Sequence, residues 1–222
     1  MGLRAVDRLD PADAITAANA ALGFVAVGVA PTDPWLAARL ILLAAIADAL
    51  DGIVARRTGG SEVGPMLDSL ADVASFGVAP AATVLAVSDG QVGTAAIILG
   101  AGFVAAAVLR LALYTTYDTA ARATAGVQTT LAATILMAGL LAGAPPWTAV
   151  AGLGVLGVLM LGERRYPDLR ARDAVIMGAL QAAAIAAPTV FGAAFPRGLL
   201  VWALAYLLLA PVFYPGPEGK RS

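Results

Sequence analysis

Apolar residues occupy almost the whole chain in stretches of about 16 to 23, divided by short clusters of proline, glycine and charge, which is the pattern of membrane-crossing helices. The stretches cover about 14–30, 35–57, 65–87, 92–114, 126–143, 147–162, 173–191 and 197–214. Pro31-Thr-Asp33-Pro34, Ser88-Asp89-Gly90 and Pro145-Pro146 mark three of the breaks, where helices cannot continue. The pattern predicts an all-α integral membrane protein, a polytopic bundle of about eight transmembrane helices in a single domain over 1–222. Several stretches are close to the shortest length that crosses a bilayer, so six is the alternative count. Residues 1–13 mix apolar and charged positions, as a short amphipathic helix on the membrane surface would. Their mixed charge lacks a clean cleavage pattern, so the first span is expected to be retained.

Charge gives the bundle a direction. With eight spans, the amino terminus, the 56–64, 110–125 and 163–172 loops and the carboxyl tail share one side. Of the 14 Lys and Arg residues, only Arg39 and Arg197 fall on the other. Cationic loops stay on the cytoplasmic face, so this side is expected to be cytoplasmic, in a cell membrane. The composition agrees: 60% hydrophobic residues and a mean hydropathy of +0.84 exceed what soluble domains carry. A net charge of −1 provides no general basic field for nucleic acid. Cysteine and histidine are absent, which excludes disulfides, thiolate catalysis and the usual zinc sites and leaves carboxylates for proton transfer.

Four carboxylates and an arginine nonetheless lie in this apolar region. The stretch reads Asp48-Ala-Leu-Asp51-Gly52-Ile-Val-Ala55-Arg56, then seven residues, then Gly64-Pro-Met-Leu-Asp68-Ser-Leu-Ala-Asp72. Charges are costly within a membrane and need partners. On helices, Asp48 and Asp51 share one face, and so do Asp68 and Asp72. If the helix pair over 35–87 is antiparallel, both pairs sit at one depth, roughly 9 Å inside the helix end at 1.5 Å per residue. Clustered carboxylates suit a hard divalent cation such as Mg²⁺ or Mn²⁺. Gly52, Ala55 and Gly64 leave space beside them, and Arg56 offers a planar donor fork suited to phosphate. Cation, arginine and space together imply a phosphorylated ligand.

The run Asp48-x2-Asp51-Gly52-x2-Ala55-Arg56-x7-Gly64-x3-Asp68-x3-Asp72 resembles the complete signature of the CDP-alcohol phosphotransferase family. The continuation Asp68-Ser-Leu-Ala-Asp72-Val-Ala-Ser75-Phe76-Gly77-Val-Ala-Pro80 is similar to the family's CDP-diacylglycerol–serine phosphatidyltransferase branch, which includes archaeal enzymes. The resemblance implies two divalent ions, with Asp48, Asp51 and Asp68 on one, Asp72 joining the second, and Asp72 as general base. It implies that Gly52, Ala55, Arg56 and Gly64 line a nucleotide pocket. Ile15-Thr16-x2-Asn19-x3-Gly23 resembles the branch's first span, which puts Thr16 and Asn19 near the nucleotide or its phosphates; polar groups satisfied within the bundle are the alternative. The implied reaction moves a phosphatidyl-type group from a CDP-linked lipid, diacylglycerol- or archaeol-based, to L-serine with release of CMP. Ser75 and Arg110 are the candidates on the acceptor side, and a homodimer is the implied assembly.

The remaining signals are weaker. Arg110-Leu111-Ala112-Leu113-Tyr114-Thr115 matches part of the branch's Arg-Leu-Ala-Arg-Phe-Asn run, with Leu113 and Thr115 departing from it. Glycerol 3-phosphate or an inositol phosphate is therefore the alternative acceptor, and snorkelling to headgroups is the alternative role for Arg110. Gly126-Val-Gln128-Thr129-Thr130 and Arg165-Tyr166-Pro167 also resemble the branch. Gly139-x3-Gly143 and Gly152, Gly154 and Gly157 are expected to pack within the bundle, with a dimer face as the alternative. Trp35, Trp147, Trp202, Tyr206 and Tyr214 are expected mostly as interface anchors or lipid-facing residues. A cation or proton transporter is the reading from another class, but it would spread its acids through the membrane depth, whereas these cluster on one side.

Overall fold

A computed structural model of the chain describes residues 9–88, 90–118, 123–167 and 171–213. Most of the expected surface helix lies outside them, as do Arg4, Arg8, Arg122, Arg170, Tyr214, Lys220 and Arg221. Helix α1 (Pro11–Val29) opens on a capping box: Asp10 accepts from the Ala12 amide while Asp13 accepts from the Asp10 amide, and Pro11 occupies the first turn. The proline break then becomes the start of α2 (Pro34–Thr58), where Asp33 caps the Leu36 amide at 2.8 Å. Gly59, with φ of 99°, ends α2 in the left-handed region.

The next rod is continuous but changes its winding. Helix α3 (Gly64–Asp72) passes into a π-helical segment, Val73–Val78, and then α4 (Ala79–Ala86). Pro80 has no amide hydrogen and its ring crowds the carbonyl four residues back, so a widened turn before it relieves both problems. Helix α5 (Gly90–Leu113) follows, with a second π turn at Tyr114–Asp118. Helices α6 (Thr129–Leu141), α7 (Pro146–Met160), α8 (Ala171–Ala186) and α9 (Val190–Phe213) complete the described chain. Phe191, Gly192 and Ala193 all have positive φ and turn the chain at the start of α9.

Among the described residues, the regular structure is helical except for one feature the apolar pattern does not contain. Two segments expected as polar loops pair as a short antiparallel ribbon, β1 (Ala123–Ala125) with β2 (Arg165–Pro167). The expected helix boundaries hold to within three residues except at the last two stretches, where α8 ends five residues early and α9 starts seven residues early. Among the described residues, four rods are long and apolar enough to cross a membrane: Pro11–Val29, Gly64–Ala86, Gly93–Tyr117 and Val190–Ala210. Helix α2 has the length but carries Arg39, Asp48, Asp51, Arg56 and Arg57. Helices α6 and α8 are shorter than the sequence pattern suggests, by five and three residues. At 13 residues, α6 is about 20 Å long against a hydrocarbon core of about 30 Å. Its environment explains the tolerance, because α6 is buried in protein along nearly its whole length.

Helix α1 packs along α2 and against the α3–α4 rod, α5 lies against α7, and α6 fills the middle. Phe76, Phe103, Ile41, Leu42 and Met137 are among the largest fully enclosed side chains of the core. On the side away from the acids, Gln181 Nε2 donates to the Leu42 carbonyl at 2.6 Å and Arg39 Nε to the Ile185 carbonyl at 2.7 Å, tying α8 to α2. The glycines of α7 serve internal packing: Gly152 lies against Leu136, Gly154 against Leu99 and Gly157 against Phe103. Gly143, with φ of 82°, lies just past α6 rather than on a helix face. Tyr206 departs from the interface expectation; it is buried, and its ring centroid lies 6.4 Å from that of Tyr166 beneath the ribbon. Burial pushes the Tyr166 phenol above the usual tyrosine range, and Arg164 pulls it the other way.

Helix α1 crosses the π-helical segment at close range, where Ser75 Oγ donates to the Asn19 carbonyl at 2.8 Å. A Cβ on Gly23 would lie 2.8 Å from the Ser75 Cα, closer than packing allows. Gly23→Ala should therefore cost about 1–3 kcal/mol by forcing the rods apart, and lower the melting temperature of the purified protein by several degrees. Exposed Gly28, with open space around it, is the control: Gly28→Ala should leave melting unchanged or raise it.

Candidate active site

Helix geometry brings the acids together. One helical turn separates Asp48 from Asp51 on α2, and another separates Asp68 from Asp72 on α3, so two antiparallel rods present four carboxylates at one end of the bundle. Asp48, Asp68 and Asp72 each offer an oxygen, and these oxygens all lie within 4.8 Å of one another. Asp51 stands beside them with a different partner: Thr16 Oγ1 on α1 donates to Asp51 Oδ2 at 2.6 Å. Threonines at the start of α6 approach from the opposite side. Thr129 Oγ1 lies 3.4 Å from Asp72 Oδ2 and Thr130 Oγ1 3.5 Å from Asp48 Oδ2. Asp72 is buried at 6% exposure, as is Asp51, and its Oδ1 has no hydrogen-bond partner.

Three converging carboxylates repel one another, and a buried carboxylate oxygen without a donor is costly. Both features fit a divalent cation bound by oxygen ligands, which supplies the missing positive charge. Asp48, Asp68 and Asp72 are the residues that would hold it. Asp51 is placed to contribute at the edge.

A cleft of about 660 Å³ opens from the acids toward the end of the bundle. Of the residues singled out in the sequence, Thr16, Asp48, Asp51, Gly52, Ala55, Arg56, Gly64 and Asp68 line it. Gly52 has a specific role here, since a Cβ at that position would lie 3.3 Å from Arg56 Nη1. The guanidinium thus folds back over Gly52 to border the cleft. Asn19 is placed elsewhere, fully buried between α1 and the π-helical segment with neither side-chain polar atom hydrogen-bonded. Ser75 is also fully buried, and its hydroxyl is engaged by the Asn19 carbonyl. Arg110 faces inward rather than toward headgroups: it is buried, acts electrostatically on Asp72, and lies 5.8 Å from the centre of the Tyr114 ring. Tyr114 in turn lines the cleft.

Several site residues escaped the sequence reading. Asp13 lines the cleft and is buried, accepting from Ser61 Oγ at 3.0 Å. Thr58 Oγ1 donates to Asp10 Oδ1 at 2.7 Å. Together these bonds clamp the α2–α3 loop to the start of α1 and form one wall of the cleft. The Asp10-x2-Asp13 spacing before an apolar run was the available signal for a capping box. Ser69 Oγ and Thr115 Oγ1 also share a short hydrogen bond, at a position where the branch's pattern has asparagine.

These features define a polytopic helical membrane protein with an acid-lined cleft at one end of its bundle. The chain belongs to the CDP-alcohol phosphatidyltransferase family, whose profile matches residues 10–163. A CDP-diacylglycerol–serine O-phosphatidyltransferase of Mycobacterium leprae is 46% identical over 84 residues, which are 36% of this chain and 27% of the relative. A protein of the same name from Methanocaldococcus jannaschii is 63% identical over 43 residues, 19% of this chain and 21% of the relative. An archaetidylserine synthase of Methanothermobacter thermautotrophicus is 44% identical over 73 residues, 31% of each chain. The matches thus span less than a third of these relatives' own lengths.

A divalent cation binding between the two rods should raise the melting temperature of the purified protein through mass action. Mn²⁺ titrations are expected to show that rise in the wild type and to lose most of it in Asp48→Asn and Asp68→Asn. Thr16→Val, which removes only the partner of Asp51, should retain most of it.

Proposed function

We propose that this protein transfers a phosphatidyl-type group from a CDP-linked lipid to L-serine and releases CMP. The observation that carries the reading is the convergence of Asp48, Asp68 and Asp72 beside a cleft bordered by Arg56. The serine acceptor follows the relatives, two of them CDP-diacylglycerol–serine O-phosphatidyltransferases and one an archaetidylserine synthase. The cofactor in this reading is a pair of Mg²⁺ or Mn²⁺ ions. Such ions neutralise charge on the phosphates and acidify a hydroxyl brought beside them.

The chain's own residues set up the displacement. Arg56 pairs with a phosphate through its planar donor fork, while Gly52, Ala55 and Gly64 leave room for the nucleotide. The cleft holds the pyrophosphate near the acids so that the serine hydroxyl meets the β-phosphorus in line. A bond forms between the serine oxygen and that phosphorus, and the bond to the CMP oxygen breaks. Asp72 takes up the serine proton as the general base. Arg110, next to Asp72, is positioned for the acceptor's carboxylate.

In this reading the cleft faces the cytoplasm, in agreement with the distribution of arginines between the loops, and the working unit is a homodimer. CMP release measured over serine, glycerol 3-phosphate and inositol phosphate should show turnover with serine alone. Asp72→Asn should reduce that turnover at least about 100-fold, the usual contribution of a general base, without loss of expression. Robust turnover with a phosphate-bearing acceptor in place of serine would overturn the acceptor assignment.

A further inference from the structure

Among the described residues, Thr83, Thr115, Thr116 and Thr134 donate to the carbonyl four residues earlier in the chain, and Thr16 and Thr58 share their hydroxyls between that carbonyl and a closer carboxylate on another segment. Thr129 and Thr130 cannot, because they are the first two residues of α6 and the carbonyls four positions back lie outside the helix. Their hydroxyls point across the bundle instead, Thr129 toward Asp72 on α3 and Thr130 toward Asp48 on α2. Thr129 is 1% exposed, so no water competes for its hydroxyl, and Thr130 is half-buried.

The start of α6 is itself held in place. Gly126, with φ of 75°, donates its amide to the Arg164 carbonyl at 2.9 Å, and Val127 donates to the Leu159 carbonyl at 3.0 Å. A Cβ at Gly126 would run into the Met160 carbonyl, so the chain crosses the end of α7 where only glycine fits. Immediately before it, β1 is paired with β2. Ribbon, glycine crossing and buried threonines form one rigid line ending on two acids from two different helices. The positive end of the α6 dipole also faces those carboxylates, which favours their charged form.

We infer that Thr129 and Thr130 are positioning residues for the acid cluster: they hold the outer oxygens of Asp72 and Asp48 so that the remaining oxygens face a shared divalent cation. The inference rests on the cation-dependent reading of the site and assigns a role to the Gly126–Thr130 stretch that the reaction scheme does not use. At 3.4 and 3.5 Å the two contacts are longer than the usual hydroxyl–carboxylate bond of about 2.5–3.0 Å. A threonine in this setting orients a carboxylate without locking it. Outer partners of this kind typically change metal affinity about 10–100-fold when removed.

Direct Mn²⁺ binding to the full chain, followed by the electron paramagnetic resonance signal of free Mn²⁺ with no lipid or serine present, tests this apart from catalysis. Thr129→Val and Thr130→Val remove each hydroxyl with little change of shape, and each should weaken Mn²⁺ binding about 10-fold. Thr129→Ser and Thr130→Ser keep the hydroxyl and should stay within about threefold of the wild type, a split that a purely packing role would not produce. Unchanged affinity in the Thr129→Val/Thr130→Val double variant would overturn the assignment, and so would equal losses in the serine and valine variants. A wild type that binds no Mn²⁺ would show instead that the cation-dependent reading fails, and that outcome is visible before any threonine is changed.

Discussion

The close approach of three carboxylates inside an apolar bundle is the constraint that the surrounding contacts serve. Asp48, Asp68 and Asp72 bring oxygens within 4.8 Å of one another at one end of an apolar bundle. Moving charges out of water costs several kcal/mol per ion even after relaxation, and like charges at this range add to that cost. A bundle held only by apolar packing would splay its acids toward water. Here two neighbouring rods keep them facing each other, in an arrangement that a divalent cation would make favourable.

The surroundings resist the splaying from three directions. Thr16 on α1 holds Asp51 at 2.6 Å, and the Gly23–Ser75 crossing keeps α1 close against the rod that carries Asp72. The bonds from Thr58 to Asp10 and from Ser61 to Asp13 fix the loop between the two acid-bearing helices, and with it the wall of the cleft. The ribbon and the Gly126 crossing set the first turn of α6 on the far side. Each of these holds backbone or hydroxyl groups and none adds a cation. The positive charge close by comes from Arg110 next to Asp72 and from Arg56 at the border of the cleft, positions suited to anions of a substrate.

Much of this was legible in the residues. Apolar stretches and proline breaks located the helices, and the Asp-x2-Asp and Asp-x3-Asp spacings placed the acids on shared faces because helical periodicity is local. The features that escaped depend on contacts between distant segments. Nothing in Ala123–Ala125 or Arg165–Pro167 alone marks a strand; pairing makes them one. The shortness of α6 follows from its burial by neighbours, which no window of its own hydropathy contains. Asp13 read as part of a mixed-charge surface segment because its capping partner and Ser61 were not read together. Ser75 and Asn19 have polar side chains suited to a ligand, yet the fold places both between helices, where one hydroxyl meets a backbone carbonyl.

The most direct test of the central claim is where a divalent cation sits. Crystals of the protein grown with Mn²⁺ and measured near the manganese absorption edge would locate it by anomalous scattering, independently of any assay. The account predicts a strong anomalous peak enclosed by Asp48, Asp68 and Asp72, with Thr129 and Thr130 behind the acids. A cluster without a peak, or manganese bound only at a place remote from these three carboxylates, would contradict it.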